Sequence, residues 1–257
     1  MLSKTYPYTI LITEDDDEVR CFLERELSPH FKTRTAANGK DALRVLEEEE
    51  ISLVVSDVMM PEMNGFELCR MIKSQLPFSH IPVILLTALT DERQRIFGIT
   101  GGADDYIQKP FHTDYVKIKI IHLLQERRKL RERLLEKLRD NKLLLSEPEK
   151  VESIDDAFLR KFAEQIEAVY ADPEYNVEKL SETLGLSRGH LHRKIKELTG
   201  TSPVEFLRTY RLNKATQLLR QNAYTVSEVA YRTGFSSPAY FSKCFKAVYG
   251  VTPTEYQ

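Results

Sequence analysis

The chain has 257 residues, 42% hydrophobic and 30% charged, with 10 Gly and 11 Pro; this is enough apolar content for one large or two ordinary packed domains, and it excludes low-complexity and disordered classes. No segment approaches the roughly 20 consecutive apolar residues of a membrane span, and the run within Met1–Thr13 is too short for a secretion signal. Cys21, Cys69 and Cys244 are scattered and form no CxxC pair, which argues against a disulfide framework or a zinc site and for a reducing cytoplasm.

The net charge of -2 conceals an asymmetry: 20 acidic against 14 basic residues in Met1–Gln125, then 11 basic against 4 acidic from Arg188 to Gln257. A basic end suits a polyanionic partner, and the plain alternative is a solvated basic face.

Tyr8–Thr13 (YTILIT) has the pattern of a first strand, with Glu14-Asp15-Asp16-Asp17 directly after it. The spacing of Val19, Phe22, Leu23 and Leu27 predicts a helix over Asp16–Leu27. A strand over Thr33–Ala37 and a helix over Asp41–Glu50 follow. Ile51–Ser56 is an apolar run of the kind buried on both faces of a sheet, and Asp57 stands at its carboxyl end before the turn residues Pro61 and Asn64-Gly65. Next come a helix over Gly65–Gln75, a strand over Ile81–Leu86 ending in Thr87-Ala88, a helix near Glu92–Thr100, and a short fifth strand around Tyr106-Ile107 before Lys109-Pro110. Strict strand–helix alternation predicts an α/β, doubly wound, parallel five-stranded sheet.

In such a sheet Glu14, Asp15, Asp57, Thr87 and Lys109 all lie at carboxyl strand ends and converge on one edge. Three carboxylates that close repel unless Lys109 or a cation compensates. Oxygen-only ligands suit a hard divalent ion, Mg2+ above all. An Asp beside such a metal, with a lysine and a hydroxyl to hold further oxygens, is suited to accept a phosphoryl group.

The motifs LITEDD, SDVMMPEMNG, VILLTA and ADDYIQKPF, in that order across about Tyr6 to Leu124, resemble the receiver domain of two-component response regulators, whose fold is flavodoxin-like. The resemblance implies that Asp57 is the phosphoacceptor. It implies Mg2+ on Asp15, Asp57 and the Met59 carbonyl, with Glu14 acting through water. Lys109 would contact the phosphoryl group, Thr87 and Tyr106 would switch conformation, and Lys109-Pro110 would be cis. Glu14 departs from the pattern, since Asp is commoner at its position.

Asp114–Leu145 is one long helical pattern without Gly or Pro. Ile120, Leu123, Leu130 and Leu134 recur along it with heptad spacing, interrupted by Arg127. The apolar start of this helix is expected to pack on the sheet. The later part, ERRKLRERLLEKL, is too polar to be core yet keeps a leucine stripe, which suits a short two-helix coiled coil between phosphorylated chains, or nearly as well a solvated spacer. Ser146–Ser153, with Pro148, marks a break.

Beyond Ile154 the chain repeats itself. Val177-x2-Leu180-x4-Gly185-Leu186-Ser187 aligns with Val226-x2-Val229-x4-Gly234-Phe235-Ser236-Ser237. Leu191, Ile195, Leu198, Gly200 and Pro203 then align with Phe241, Phe245, Val248, Gly250 and Pro253. Each copy has the grammar of a helix, a Gly C-cap, a Ser N-cap and a second helix, hence a helix-turn-helix. The second helices carry His192, Arg193 and Lys196, and Ser242, Lys243 and Lys246, on the side opposite the core, as a major-groove reader requires.

The stretch VSEVAYRTGFSSPAYFSKCFKAVYGVTPTEY, within about Asp156–Tyr256, resembles the AraC family of bacterial transcription regulators, in which a long helix (here about Val204–Gln221) joins two such units. By that resemblance Gly189, His192 and Arg193, then Ala239, Ser242 and Lys243, occupy base-facing positions.

The expected organisation is a receiver domain over 1–125, a helical linker over 126–153 and an all-α DNA-binding domain over 154–257. The implied function is a phosphorylation-dependent transcription regulator, not an enzyme, with double-stranded DNA, a cognate histidine kinase and a second copy of itself as partners, and without membrane contact. The same pairing also resembles the carboxyl-terminal part of hybrid sensors. An Mg2+-dependent phosphatase would want a second acid where Met59 stands, and a receiver relaying phosphoryl groups by protein contact alone would not need the basic repeats.

Overall fold

The computed structural model describes residues 6–88, 102–139 and 153–257. The chain forms two compact units, Met1–Leu130 and Arg131–Gln257. The helix expected near Glu92–Thr100, and Ser146–Ser153 except for its last residue, lie outside the described residues.

In the first unit five parallel strands, β1 (Thr9–Thr13), β2 (Lys32–Ala36), β3 (Leu53–Asp57), β4 (Val83–Thr87) and β5 (Asp105–Gln108), lie in the order β2-β1-β3-β4-β5. Helices α1 (Asp17–Leu27), α2 (Gly39–Glu48), α3 (Gly65–Ser74) and α4 (Thr113–Arg139) flank them. Strand alternation sorts the core into two layers. Leu11, Val54, Val83 and Leu85 pack with Ala42 and Leu46 of α2 and Leu68, Cys69 and Ile72 of α3. Ile10, Ile12, Leu53, Val55, Ile84 and Leu86 pack with Leu23 and Leu27 of α1 and Val116, Ile120 and Leu124 of α4. All five residues of β3 are buried, as its apolar run predicts. β4 begins two residues later than expected; the ladder starts past Pro82, which has no N–H to donate.

The helix starts are set by local side chains. Asp16 caps α1 by accepting from the Glu18 and Val19 amides, and Asn64 opens α3 through a capping box with Glu67. Gly65 is required by a close approach, because a Cβ there would lie 2.2 Å from the carbonyl oxygen of Asp57.

The leucine stripe of α4 is divided between two environments. Ile120 is fully buried in the receiver core and Leu123 packs against it, whereas Leu130 is 66% exposed. Arg127, which interrupts the heptads, donates to the His80 carbonyl and lies 3.2 Å from Asp104, so it holds the helix to its own domain. The start of the stripe therefore packs on the sheet, as expected.

The second unit is entirely helical: α5 (Ile154–Val169), α6 (Val177–Leu184), α7 (Arg188–Thr199), α8 (Pro203–Arg220), α9 (Val226–Arg232), α10 (Pro238–Tyr249) and α11 (Pro253–Tyr256). The α6–α7 and α9–α10 pairs are the two expected helix-turn-helix units. Ser187 and Ser237 cap the second helix of each, and Gly200 and Gly250 end them. Copy one turns at Gly185 with φ 68°. In copy two the cap is Thr233, and the left-handed turn falls one residue later at Gly234, φ 78°. The two glycines stand at the same position of the repeat, and the extra residue of the second turn lies between Gly234 and the Ser237 cap.

Candidate functional site

The parallel register brings Thr13 beside Ser56, Asp57 beside Leu86, and Thr87 beside Gln108. The carboxyl ends of β1, β3, β4 and β5 thus share one edge. Glu14 follows β1 and its amide donates to the Ala36 carbonyl at 3.1 Å. Lys109 follows β5, and its own amide donates to the Thr87 carbonyl at 2.7 Å. The Lys109-Pro110 bond is cis.

Glu14, Asp15 and Asp57 each place a carboxylate oxygen within 4.8 Å of the others, with Glu14 and Asp57 buried and Asp15 exposed. The Lys109 ammonium lies 3.0 Å from both Glu14 Oε2 and Asp57 Oδ1. Burial pushes the Glu14 carboxyl above its ordinary value; the hydrogen bond from Lys109 opposes the rise and the Asp57 charge adds to it. Burial alone would lower the Lys109 pKa, but its hydrogen bonds to Glu14 and Asp57 prevail and hold it above the usual lysine value. The result is a protonated lysine set between two carboxylates, with a third, exposed carboxylate at the rim.

The remaining receiver residues are placed less directly. Thr87 is half-buried at the end of β4, and Met59 is 65% exposed two residues past Asp57. Tyr106 packs against the α2–α3 side of the core. Its hydroxyl is buried without a hydrogen-bond partner among the described residues, and burial pushes its pKa up to about 12.

In the second unit the outward sides of α7 and α10 match the expectation only in part. Gly189, His192 and Lys196, and Ala239, Lys243 and Lys246, are exposed. Arg193 is half-buried, and Ser242 is half-buried with its hydroxyl donating to the Pro238 carbonyl at 3.0 Å. Exposed apolar Tyr240 stands beside Ala239 on α10.

Two residues were not found by sequence reasoning. Arg20, one turn into α1, donates to the carbonyls of Glu14 and Asp15. Lys194, on the core side of α7, is fully buried with its ammonium 2.6 Å from Asp155 of α5. The signal for Arg20 was a basic residue one turn past an acidic loop. Lys194 gave none, since its partner lies 39 residues away.

Comparison with known proteins places both halves. The family described as the response regulator receiver domain matches residues 10–121, and that described as a helix-turn-helix domain matches residues 180–257. Histidine kinase P4 of Formosa agariphila is 39% identical over 249 residues, which are 97% of this chain and 18% of that protein. The transcriptional regulatory protein GltR of Pseudomonas aeruginosa is 43% identical over 118 residues, 46% of this chain and 49% of that protein. The signal receiver domain of a histidine kinase from Syntrophus aciditrophicus aligns at 38% identity with a TM-score of 0.45, covering 46% of this chain and 91% of that one. The chain therefore spans under a fifth of the first relative and about half of the second. The chain carries a response regulator receiver domain joined in one polypeptide to a helix-turn-helix domain of the AraC type.

Proposed function

We propose that this chain is a DNA-binding transcription regulator switched by phosphorylation of Asp57. The observation that carries the reading is the Lys109 ammonium held 3.0 Å from both Glu14 and Asp57 at the edge where four strands end, in a chain that also carries paired helix-turn-helix units. This pairing of domains is typical of a regulator rather than an enzyme.

The Asp57 carboxylate is the nucleophile: one of its oxygens forms the new bond to phosphorus as the bond to the donor's leaving atom breaks. Lys109, protonated throughout, supplies positive charge to the transferred oxygens. Thr87, half-buried at the end of β4, offers a hydroxyl on the same edge, and Tyr106 is the second member of the switch. The oxygen-only, clustered donor set of Glu14, Asp15 and Asp57 fits Mg2+, with the Met59 carbonyl as a further ligand. When bound, Mg2+ neutralises charge on the phosphoryl oxygens. His192, Arg193 and Lys196, and Ser242, Lys243 and Lys246, line the two DNA-reading helices. No described helix is long and apolar enough to cross a membrane, and we place the protein with its DNA in the cytoplasm.

Asp57→Asn should abolish Mg2+-dependent, acid-labile labelling by acetyl phosphate, and mobility shifts on genomic fragments should respond to the phosphodonor in the wild type only. Undiminished labelling of the variant defeats the reading.

Phosphorylation would further pair two chains through the distal part of α4, placing two DNA-binding units on adjacent half-sites and raising avidity by ~10²–10⁴. The exposure of Leu130 supports this. Sedimentation of phosphorylated wild type against Leu130→Asp/Leu134→Asp decides it: a wild type that stays monomeric on and off DNA removes the pairing.

One observation favours a second reading of the context. The match to the Formosa histidine kinase runs along 97% of this chain. The two domains would then be the output end of a longer chain that carries its own kinase. An antibody to the helix-turn-helix half, used on native lysate, separates a band of this chain's size from a far larger one.

A further inference from the structure

Arg20 draws attention through the two carbonyls it serves. β1 ends at Thr13, so the carbonyls of Glu14 and Asp15 leave the sheet at the point where both acids must present their side chains. Backbone acceptors that leave a ladder need donors from elsewhere. The Arg20 guanidinium supplies them: Nη1 lies 2.7 Å from the Glu14 oxygen and 3.4 Å from the Asp15 oxygen, while Nη2 pairs with Asp17. On the other side the Glu14 amide is fixed to Ala36.

The reach is set by the start of α1. Asp16 caps the helix, and the Arg20 amide closes the first turn onto the Asp16 carbonyl at 2.8 Å. Its side chain, 18% exposed, therefore returns over the loop it follows. The planar guanidinium keeps Nη1 on the two loop carbonyls while Nη2 stays on Asp17, because its donors form a rigid fork; an ammonium is a single point. It also brings a fixed positive charge next to a loop that carries four consecutive acids, Glu14 to Asp17.

We infer that Arg20 is a positioning residue of the acidic pocket: it sets the backbone of the β1–α1 loop so that Glu14 and Asp15 face Asp57, and through that loop it sets affinity for a divalent cation. The inference rests on the reading of this pocket as a Mg2+-assisted phosphoacceptor site. Residues that orient ligands without touching the metal typically change its affinity on the order of 10–100-fold.

The test is Mg2+ binding to the full-length, unphosphorylated protein, by titration calorimetry, beside thermal melts in EDTA. Arg20→Met keeps the aliphatic bulk and removes both donors; Arg20→Lys keeps the charge and one point of donation; Arg34→Met, on the exposed β2 side chain paired with Glu49, is the surface control. Weakening of Mg2+ affinity by tenfold or more in Arg20→Met, partial recovery in Arg20→Lys and no change in Arg34→Met is the expected pattern. A purely structural role would lower the EDTA melting temperature and leave the affinity of the folded protein alone, which overturns the inference. Should Arg20→Met fail to fold, Arg20→Lys decides: wild-type affinity there also overturns it. Acetyl phosphate labelling keeps the two readings apart. Absence of Mg2+ binding in the wild type, or labelling that survives Asp57→Asn, defeats the pocket itself, whereas a wild type that binds Mg2+ as tightly as Arg20→Met defeats Arg20 alone.

Discussion

The two helix-turn-helix copies share a scaffold and differ in what holds their second helices. α7 and α10 have 12 residues each, begin at a serine cap and end at a left-handed glycine. Leu191 and Ile195 occupy in α7 the buried places that Phe241 and Phe245 take in α10. Copy two is packed as a run of aromatic rings: Phe235 on Phe241 at 5.1 Å, and Phe245 on Tyr249 at 4.6 Å and on Tyr256 at 5.3 Å. Copy one uses smaller aliphatics, and where copy two has Cys244 it has Lys194, fully buried against Asp155 and 5.1 Å from the centre of the Phe158 ring. Sequence duplication thus preserves caps and core spacing, which fix the direction of the helix, and leaves the means of anchoring free to diverge. Helix α7 is tied to α5 by a directional ion pair; α10 is seated by non-directional apolar contact.

The largest expected effect breaks the aromatic anchor. Phe245→Ala should cost about 3–5 kcal/mol, from lost burial and a cavity among rings that cannot collapse. Asp155→Ala should cost somewhat less, about 3 kcal/mol, because it removes the carboxylate paired with the buried Lys194 ammonium. The anchors are told apart by rescue. Lys194→Met with Asp155→Leu replaces the ion pair by apolar volume and should restore stability to wild type or above, whereas no polar pair placed at Phe245 should do so. Denaturant melts followed by circular dichroism read all three variants, and a double variant no more stable than Asp155→Ala would show that the pair is not the anchor.

Smaller effects are expected at the outward faces, where the copies should converge. Arg193→Ala and Lys243→Ala should each cost about 1–3 kcal/mol on a specific site and relax selectivity over their own half. If either residue touches only phosphate, specific and random DNA weaken alike and the salt slope falls by about one. Arg193 is half-buried and Lys243 exposed, so the local loss of selectivity should be sharper for Arg193, the more constrained side chain. Unchanged affinities and salt slopes in both variants would remove these helices from the interface.

What could be read from sequence follows from how far each partner lies along the chain. The acidic pocket was legible because its members sit at strand ends, and apolar strands between helical segments are visible as local patterns. The repeat was legible because caps and turn glycines act within a few residues. The stripe on α4 was legible at its start: Ile120 packs on the sheet as expected, although heptad spacing alone is common to a coiled-coil seam and to a helix packed on a sheet. Lys194 looks in sequence like another cation on a basic helix; only the packing of α5 makes it a core residue. Arg20 escaped notice because its acceptors are backbone carbonyls, which carry no residue identity.

The smallest difference lies at the helices that follow α7 and α10, and pH exposes it. Ser202 and Thr252 open α8 and α11, and each forms a capping box with the glutamate three residues on. The Ser202 amide and hydroxyl lie 3.2 and 3.0 Å from Glu205, and those of Thr252 lie 2.7 and 2.8 Å from Glu255. These hydrogen bonds, backbone first, hold both carboxyls below the ordinary 4.5; Arg208 and His192 add to the effect at Glu205, and Lys246 at Glu255. A carboxyl whose folded pKa is depressed stabilises the fold fully above its unfolded value and loses that contribution as pH falls through the folded one. Melting temperature should therefore be insensitive to either box from pH 7 down to about 5, and should begin to fall below about 4.5. Glu205→Gln and Glu255→Gln resemble the protonated carboxyl and remove the titration, so each should flatten the acid limb by lowering the neutral plateau toward the acid value. Two copies built on the same box should respond in the same direction, with Glu205 tied to α7 through His192 and Glu255 to α10 through Lys246. Carboxyl NMR titration reads the two sites separately, and a glutamate that titrates at or above 4.5 in the folded chain would show that its box does not hold the charged form in solution.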